Sequence, residues 1–280
     1  MPPDGMLRLG PETGFYRVLT DAINAIMETG YINPEQIAMW IEHLRRAAQR
    51  TLTPEHVLQA SLNDTMRAIY RKQIERGGIL KYHPGVERFT IARVAPKLRA
   101  ELDRRILASA SLIKLNRVDA VETTLRRFMG WSTSIPPGGV SEEDRRKVKE
   151  TIRKPLASLP FTERRVAIDQ GHKFVGNLNN ILATEAGALA VVWHSHWRQA
   201  NYNYREDHKE RDGHVYLIRG NWAQERGLVK PGADGYYEDI TAVGQEVFCR
   251  CYATYLYSLN RLPDDMLTAK GREQLTKVAA

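Results

Sequence analysis

Only two of the 280 residues are cysteine, which excludes a disulfide framework as the source of stability. No apolar run approaches the roughly 20 residues that a bilayer-crossing helix needs, so no membrane partner is expected. The opening residues, Met1-Pro2-Pro3-Asp4-Gly5, have neither the basic nor the apolar stretch of a signal peptide, and folding in a cytoplasm is the expectation. Internal repeats and low-complexity tracts are lacking as well. Acids are in deficit: 33 Asp and Glu face 41 Lys and Arg, a net charge of +8. That balance favours polyanionic partners, nucleic acid or an acidic protein surface. What is present is an ordinary globular composition, 42% hydrophobic and 26% charged, on a chain long enough to bury one large core or two small ones.

The first two-thirds read as helical. Phe15, Val18, Leu19, Ala22, Ile23 and Ile26 recur at helical spacing. Asn33-Pro34-Glu35-Gln36 supplies a capping side chain, Pro at the first helical position and Gln three residues after the cap, and Thr53-Pro54-Glu55 opens another helix in the same way. Gly77-Gly78 and His83-Pro84-Gly85 mark a break. A longer helix is expected from about Ala92. Leu98, Leu102 and Ile106 step by four along it, and Val118, Val121, Leu125 and Phe128 form a seam of threes and fours. Residues 92–131 hold nine Lys or Arg against four acids. Within them Arg99, Arg104, Arg105, Arg126 and Arg127 are the candidates for non-specific contact with DNA phosphates; a solvated helical face is the plainer reading.

Ser132 to Gly139, with Ile135-Pro136-Pro137-Gly138-Gly139, reads as a linker. Ser141-Glu142-Glu143-Asp144 caps a charged helix that Pro155 and Pro160 are expected to stop. Thr162 is expected to cap the last long helix, with Val166, Phe174, Leu178, Ile181 and Leu182 on its apolar face. Beyond Trp193 the texture changes to short apolar runs between glycines. Val215-Tyr216-Leu217-Ile218 and the alternating stretch after Cys251 suit strands, and residues 263–276 suit a short helix. Trp222 and the pair Tyr236-Tyr237 are expected to cover the core of this small module. The fold class that follows is α+β. A helical region over 1–190 precedes a Cys/His module of α/β type over 191–258 and a tail over 259–280.

Both cysteines fall in Cys249-Arg250-Cys251, and four of the eight histidines lie between Trp193 and Cys251. In an extended chain residues i and i+2 face the same side, so the two sulfurs can meet one ion. A disulfide between them would close a small, strained ring. Two thiolates with imidazoles in a reduced compartment suit zinc. His208 is the expected third ligand, and His214, His194 or Asp212 the fourth, with His214 preferred. The alternative is a pair of reduced cysteines packed as small hydrophobes.

Thr184-Glu185, Trp193, Arg205 to His208, Asp212-Gly213 and Cys249-Arg250-Cys251 follow one another in an order that resembles the phage head-morphogenesis family, the Mu F-like minor capsid proteins, over residues 184–252. Ala183 stands where that family often has Arg, and Glu246-Val247-Phe248 where it often has Pro and Asn. The resemblance implies a virion component of a tailed bacteriophage, made in few copies. It would be assembled in the host cytoplasm and placed at the portal vertex of the head, with portal protein and capsid or scaffolding protein as partners. It further implies several copies in a ring and contact with packaged double-stranded DNA, but no enzymatic activity. Two other functions compete with it. His208 and His214 flank Asp212 as in some metal-dependent nucleases acting on DNA. The Arg-rich helix could instead belong to a DNA-binding regulator, though no helix-turn-helix pattern accompanies it.

Overall fold

Helices dominate the first two-thirds because apolar residues recur there at helical spacing, with a side-chain cap at the start of one of them. A computed structural model of the chain describes residues 14–31, 33–135 and 142–279. Helix α1 (Gly14–Thr29) buries Phe15, Leu19, Ala22, Ile23 and Ile26. Helix α2 (Pro34–Thr51) begins at Asn33, whose Oδ1 accepts from Gln36 N at 2.9 Å. Helix α3 (Glu55–Tyr70) follows Pro54 and runs into a π-helical turn, Arg71–Glu75. Gly77, at φ 73°, then reverses the chain into a short 3-10 helix, Gly78–Tyr82. Next come α4 (Arg88–Ser132), α5 (Glu142–Ala157) and α6 (Leu159–Ala186). Residues 136–139 of the expected linker, the expected cap Ser141 and the opening Met1–Gly5 lie outside the described residues.

Two expectations about helix ends are corrected. Pro155 lies inside α5 and does not stop it. Proline has no N–H to give the Thr151 carbonyl; Arg127 Nη1 donates to that oxygen instead, at 2.7 Å. Thr162 caps nothing: it lies in the first turn of α6, where its Oγ1 donates to Ser158 O at 3.2 Å.

Compactness divides the chain differently from a boundary at residue 190. One unit takes the described residues up to Asn63 together with Leu107–Ala167, the other Asp64–Ile106 together with Ile168–Ala280. The first is all helix around Phe15, Ile23, Leu44, Leu125, Phe128, Ile152 and Leu156. Val118, expected on the seam, is 54% exposed; at its level Ile113, Arg117 and Ala120 face inward instead. Arg117 forms a buried, bidentate ion pair with Glu163, Nε to Oε1 at 2.5 Å and Nη2 to Oε2 at 3.1 Å, and also donates to Thr53 O at 2.8 Å.

In the second unit Leu98 and Leu102 pack with Met66, Ile79, Val94, Phe174, Leu178 and Leu182. The chain then enters a three-stranded antiparallel sheet, β1 (Ala190–His194), β2 (Val215–Leu217) and β3 (Tyr252–Leu256), in the order β2-β1-β3. Helix α7 (Glu206–Glu210) lies between β1 and β2, while α8 (Trp222–Glu225) and α9 (Ala269–Ala279) follow β2 and β3 respectively. Register pairs Val191 with Tyr216 and with Tyr255. Alternation therefore sends Val191, Trp193, Ala253 and Tyr255 to one face, with Tyr237 and both cysteines. Ala190, Leu217 and Leu256 go to the other, which Leu228, Leu259, Leu262, Met266 and Leu267 cover. The segment expected as a tail thus closes the second face. Trp222 and Tyr236 pack against this second core and Tyr237 is buried in the first, as expected. The α+β class, mostly helical with a small module near the end, stands.

His83, which carried no expectation, is buried in the second unit. Its Nδ1 meets Tyr257 Oη at 2.5 Å and its Nε2 meets Asn179 Oδ1 at 2.9 Å, with the ring stacked on Tyr255 at 4.7 Å. Burial pulls its pKa down to about 4, against the opposing hydrogen bond of Asn179.

Two predictions follow from these buried groups. Glu163→Ala strands the Arg117 charge and is expected to cost about 3–5 kcal/mol in urea unfolding, whereas Arg117→Met with Glu163→Leu costs much less. Because His83 stays neutral when folded and gains a proton when unfolded, its contribution is complete above pH 6.5. It is lost as the pH falls from 6.5 through about 4. Stability is expected to drop by on the order of 3 kcal/mol across that window, and His83→Gln to flatten the profile.

Candidate metal centre

Three elements carry the ligand-type side chains together. The single turn of α7 holds His208. The run leading into β3 holds Cys249 and Cys251, which are free thiols. Strand β1 supplies Trp193, whose indole stands edge-on to the His208 ring at 5.3 Å between centroids. The two thiols lie just before β3, and both sulfurs face Nδ1 of His208, as the i, i+2 spacing predicts.

The geometry between them is close. His208 Nδ1 is 3.4 Å from Cys251 Sγ and 3.7 Å from Cys249 Sγ. All three residues are buried, and their ligand atoms lie within 4.8 Å of one another. A tetrahedral ion with zinc-length bonds, ~2.3 Å to sulfur and ~2.0 Å to nitrogen, sets its nitrogen and sulfur ligands ~3.5 Å apart. The donor set fits such an ion, and the cluster could hold one. Several polar atoms here lack hydrogen-bond partners: Trp193 Nε1, Ser195 Oγ, His208 Nε2 and Arg211 Nη1.

The thiols do not titrate alike. The Cys251 thiol donates to Cys249, which pulls Cys249 down to about 6 in spite of burial; the Gly244 and Cys251 backbone amides and His208 add to this. Cys251 is pushed up by the same interaction and by burial. The interaction between the two sulfurs thus moves their thiols in opposite directions.

A turn over residues 243–248 delivers the sulfurs. Gly176 of α6 lets it approach: a Cβ there would meet Val243 O at 2.8 Å. Phe248 adopts φ 61°, a left-handed conformation uncommon outside glycine. It is tied down by its N–H, which donates to Asp169 Oδ1 at 2.6 Å. Arg205, just before α7, reaches the same turn, with Nε 2.7 Å from Glu246 Oε2 and Nη2 donating to Val247 O at 2.9 Å. The Asp212-Gly213 turn closes the other side. Gly213, at φ 84°, donates to Trp193 O at 2.8 Å. Asp212 accepts from Ser195 N at 2.8 Å and from Trp197 Nε1 at 3.0 Å.

The remaining expected ligands do not join. His214 is half exposed, with Nδ1 2.7 Å from Asp234 Oδ1. His194 stacks on Tyr252 and reaches Thr254 Oγ1 at 3.1 Å. Asp212 is engaged by its turn. Among the described residues, the two groups able to surround an ion are His208 with the two cysteines, and His208 with Asp207 and Glu246. Glu246 was absent from the expected ligands. Only its position three residues before Cys249, inside the tight turn, could have signalled it.

The arginines expected at DNA separate into two kinds. Arg105 is buried between Glu101 at 3.2 Å and Gln170 at 2.9 Å, so it presents no charge to a phosphate, and that expectation is corrected. Arg99, Arg104 and Arg126 are exposed but lie near Asp103, Glu101 and Asp119 respectively. Arg127 is exposed too, and gives one N–H to Thr151 O. Glu185, in the Thr184-Glu185 pair, forms an ion pair with Lys97.

Set against protein-family models, curated proteins and solved structures, the chain gives no match in any of the three comparisons.

The full chain, purified under reducing conditions, is expected to carry up to one divalent ion per molecule by metal analysis. Replacing Cys249 and Cys251 together by Ser should abolish binding and lower the melting temperature. Unchanged melting with unchanged metal content would show that the ion sits elsewhere.

Proposed function

We propose that the chain is a minor head protein of a tailed bacteriophage, acting at the portal vertex during assembly. In this reading the Cys/His module is a rigid element and not a reaction centre. The observation that carries it is the joint burial of His208, Cys249 and Cys251 beneath Trp193. Pieces up to 58 residues apart in the sequence, which matter to the resemblance only as an ordered set, meet around one point. Arg205 and Asp212-Gly213 hold the flanking turns. Zinc would suit this donor set, with the sulfurs of Cys249 and Cys251 and Nδ1 of His208 as the residues that would hold it; the chemistry it would supply is cross-linking, tying the turn before β3 to α7. A module with few strands gains stability from such a tie.

A portal is a ring, and a ring of this chain seated on it, with capsid or scaffolding protein nearby, follows from the same reading. The net charge of +8 supports sequence-independent contact with packaged DNA, carried by exposed cations and not by Arg105. Among the described residues no helix is long and apolar enough to cross a membrane. The nuclease alternative lacks support from the arrangement of its residues, because His214 and Asp212 are each engaged by other partners.

The test is location. Particles purified from a phage encoding this chain should contain it, and an asymmetric electron-microscopy reconstruction should place it at the vertex and count its copies. Its absence from mature particles and from portal complexes would overturn the reading.

A further inference from the structure

We propose that Glu246, held by Arg205, is a positioning residue: it keeps the imidazole proton of His208 on Nε2, so that the Nδ1 lone pair faces both thiols. The inference rests on reading the cluster as a metal centre and deepens it. A histidine can present only one nitrogen to a given ion, and the partner of the other nitrogen selects which.

His208 has its two nitrogens in opposite surroundings. Nδ1 faces sulfur, 3.4 Å from Cys251 and 3.7 Å from Cys249. Nε2 is buried and without a formed hydrogen bond, yet it faces carboxylate, 3.5 Å from Glu246 Oε1 and 3.9 Å from Asp207 Oδ2. A carboxylate attracts an N–H and repels a lone pair. A neutral ring in this setting therefore carries its proton on Nε2, and the thiols meet the free lone pair of Nδ1.

Glu246 outweighs Asp207 on three counts. It is nearer, its side chain is 29% exposed against 49%, and it belongs to the turn that carries the sulfurs. Cys249 N donates to Glu246 O at 3.1 Å, so one residue holds the main chain of Cys249 with its carbonyl and faces the imidazole with its side chain. Arg205 completes the arrangement. Its Nε stands 2.7 Å from Glu246 Oε2, leaving Oε1 for His208, while its Nη2 fixes Val247 O at 2.9 Å. Arg211 engages Asp207 at 2.9 Å, drawing that carboxylate away from the ring. The module thus carries its own alignment of the histidine before any ion arrives.

The decisive measurement is the tautomer of His208 in the metal-free full chain, read from long-range 15N–1H correlations of the ring. The Nε2–H form is expected in the natural sequence, and a shift towards the Nδ1–H form in Glu246→Ala. Zinc competition titrations should show Glu246→Ala weakening affinity by roughly 10–100-fold. Glu246→Gln, whose amide oxygen can still accept from Nε2, should recover much of the loss, and Asp207→Ala should change affinity less than about threefold. An Nδ1–H ring in the natural sequence, or an unchanged tautomer in both Glu246 variants, overturns the proposal. If the natural chain binds no zinc, the metal reading fails, and the tautomer still decides whether Glu246 orients the ring. Should Glu246→Ala fail to fold, the natural-sequence tautomer and Glu246→Gln carry the test.

Discussion

Two thiols and an imidazole withdrawn from water around one point form the constraint on which the second unit depends. Each is a polar group buried at a cost unless it finds a partner. The surrounding chain is arranged to supply those partners. The turn before β3 brings the sulfurs, α7 brings the ring, and β1 brings the indole that covers it. The opposite shifts of the Cys249 and Cys251 thiols are an electrostatic consequence of this crowding. So is the placing of two carboxylates on the far side of the ring.

Arginine does different work in the two units, and its placement shows how little net charge says about function. Arg117 and Arg105 are interior residues, each matched by a buried glutamate. Arg127 replaces an N–H that Pro155 cannot offer to Thr151. Arg205 links the two segments that build the candidate centre. Guanidinium suits all of these positions because it stays charged and offers several donors in a fixed plane. Counting them as free surface charge overstates what a polyanion would meet.

The helices were legible because their signals are local. The Asn33 cap and the periodic faces of α1 and α2 needed only neighbours within a turn or two. The error at Pro155 arose because the compensating donor, Arg127, is 28 residues away. The exposure of Val118 has a related cause, since a helix facing several neighbours buries different sides at different levels. At the candidate centre His208, Cys249 and Cys251 were legible from residue type and spacing. His214 was chosen as a further ligand on proximity in sequence, but β2 and the loop carrying Asp234 hold it on the surface. Glu246 and Arg205 were not legible as a pair, because 41 residues separate them and neither residue type signals ligation by itself.

By itself the sequence determined the class of fold, the starts of the early helices, and the set of soft ligands from which a centre could be drawn. These depend on short-range periodicity, capping and side-chain chemistry. Only the tertiary structure decided which histidine joins the thiols, which arginines leave the surface, and that the last segment closes the sheet's second face. Those outcomes depend on which distant residues come within a few ångströms. The chain's packing settles that, because a buried charge or donor is costly unless the fold places a partner beside it.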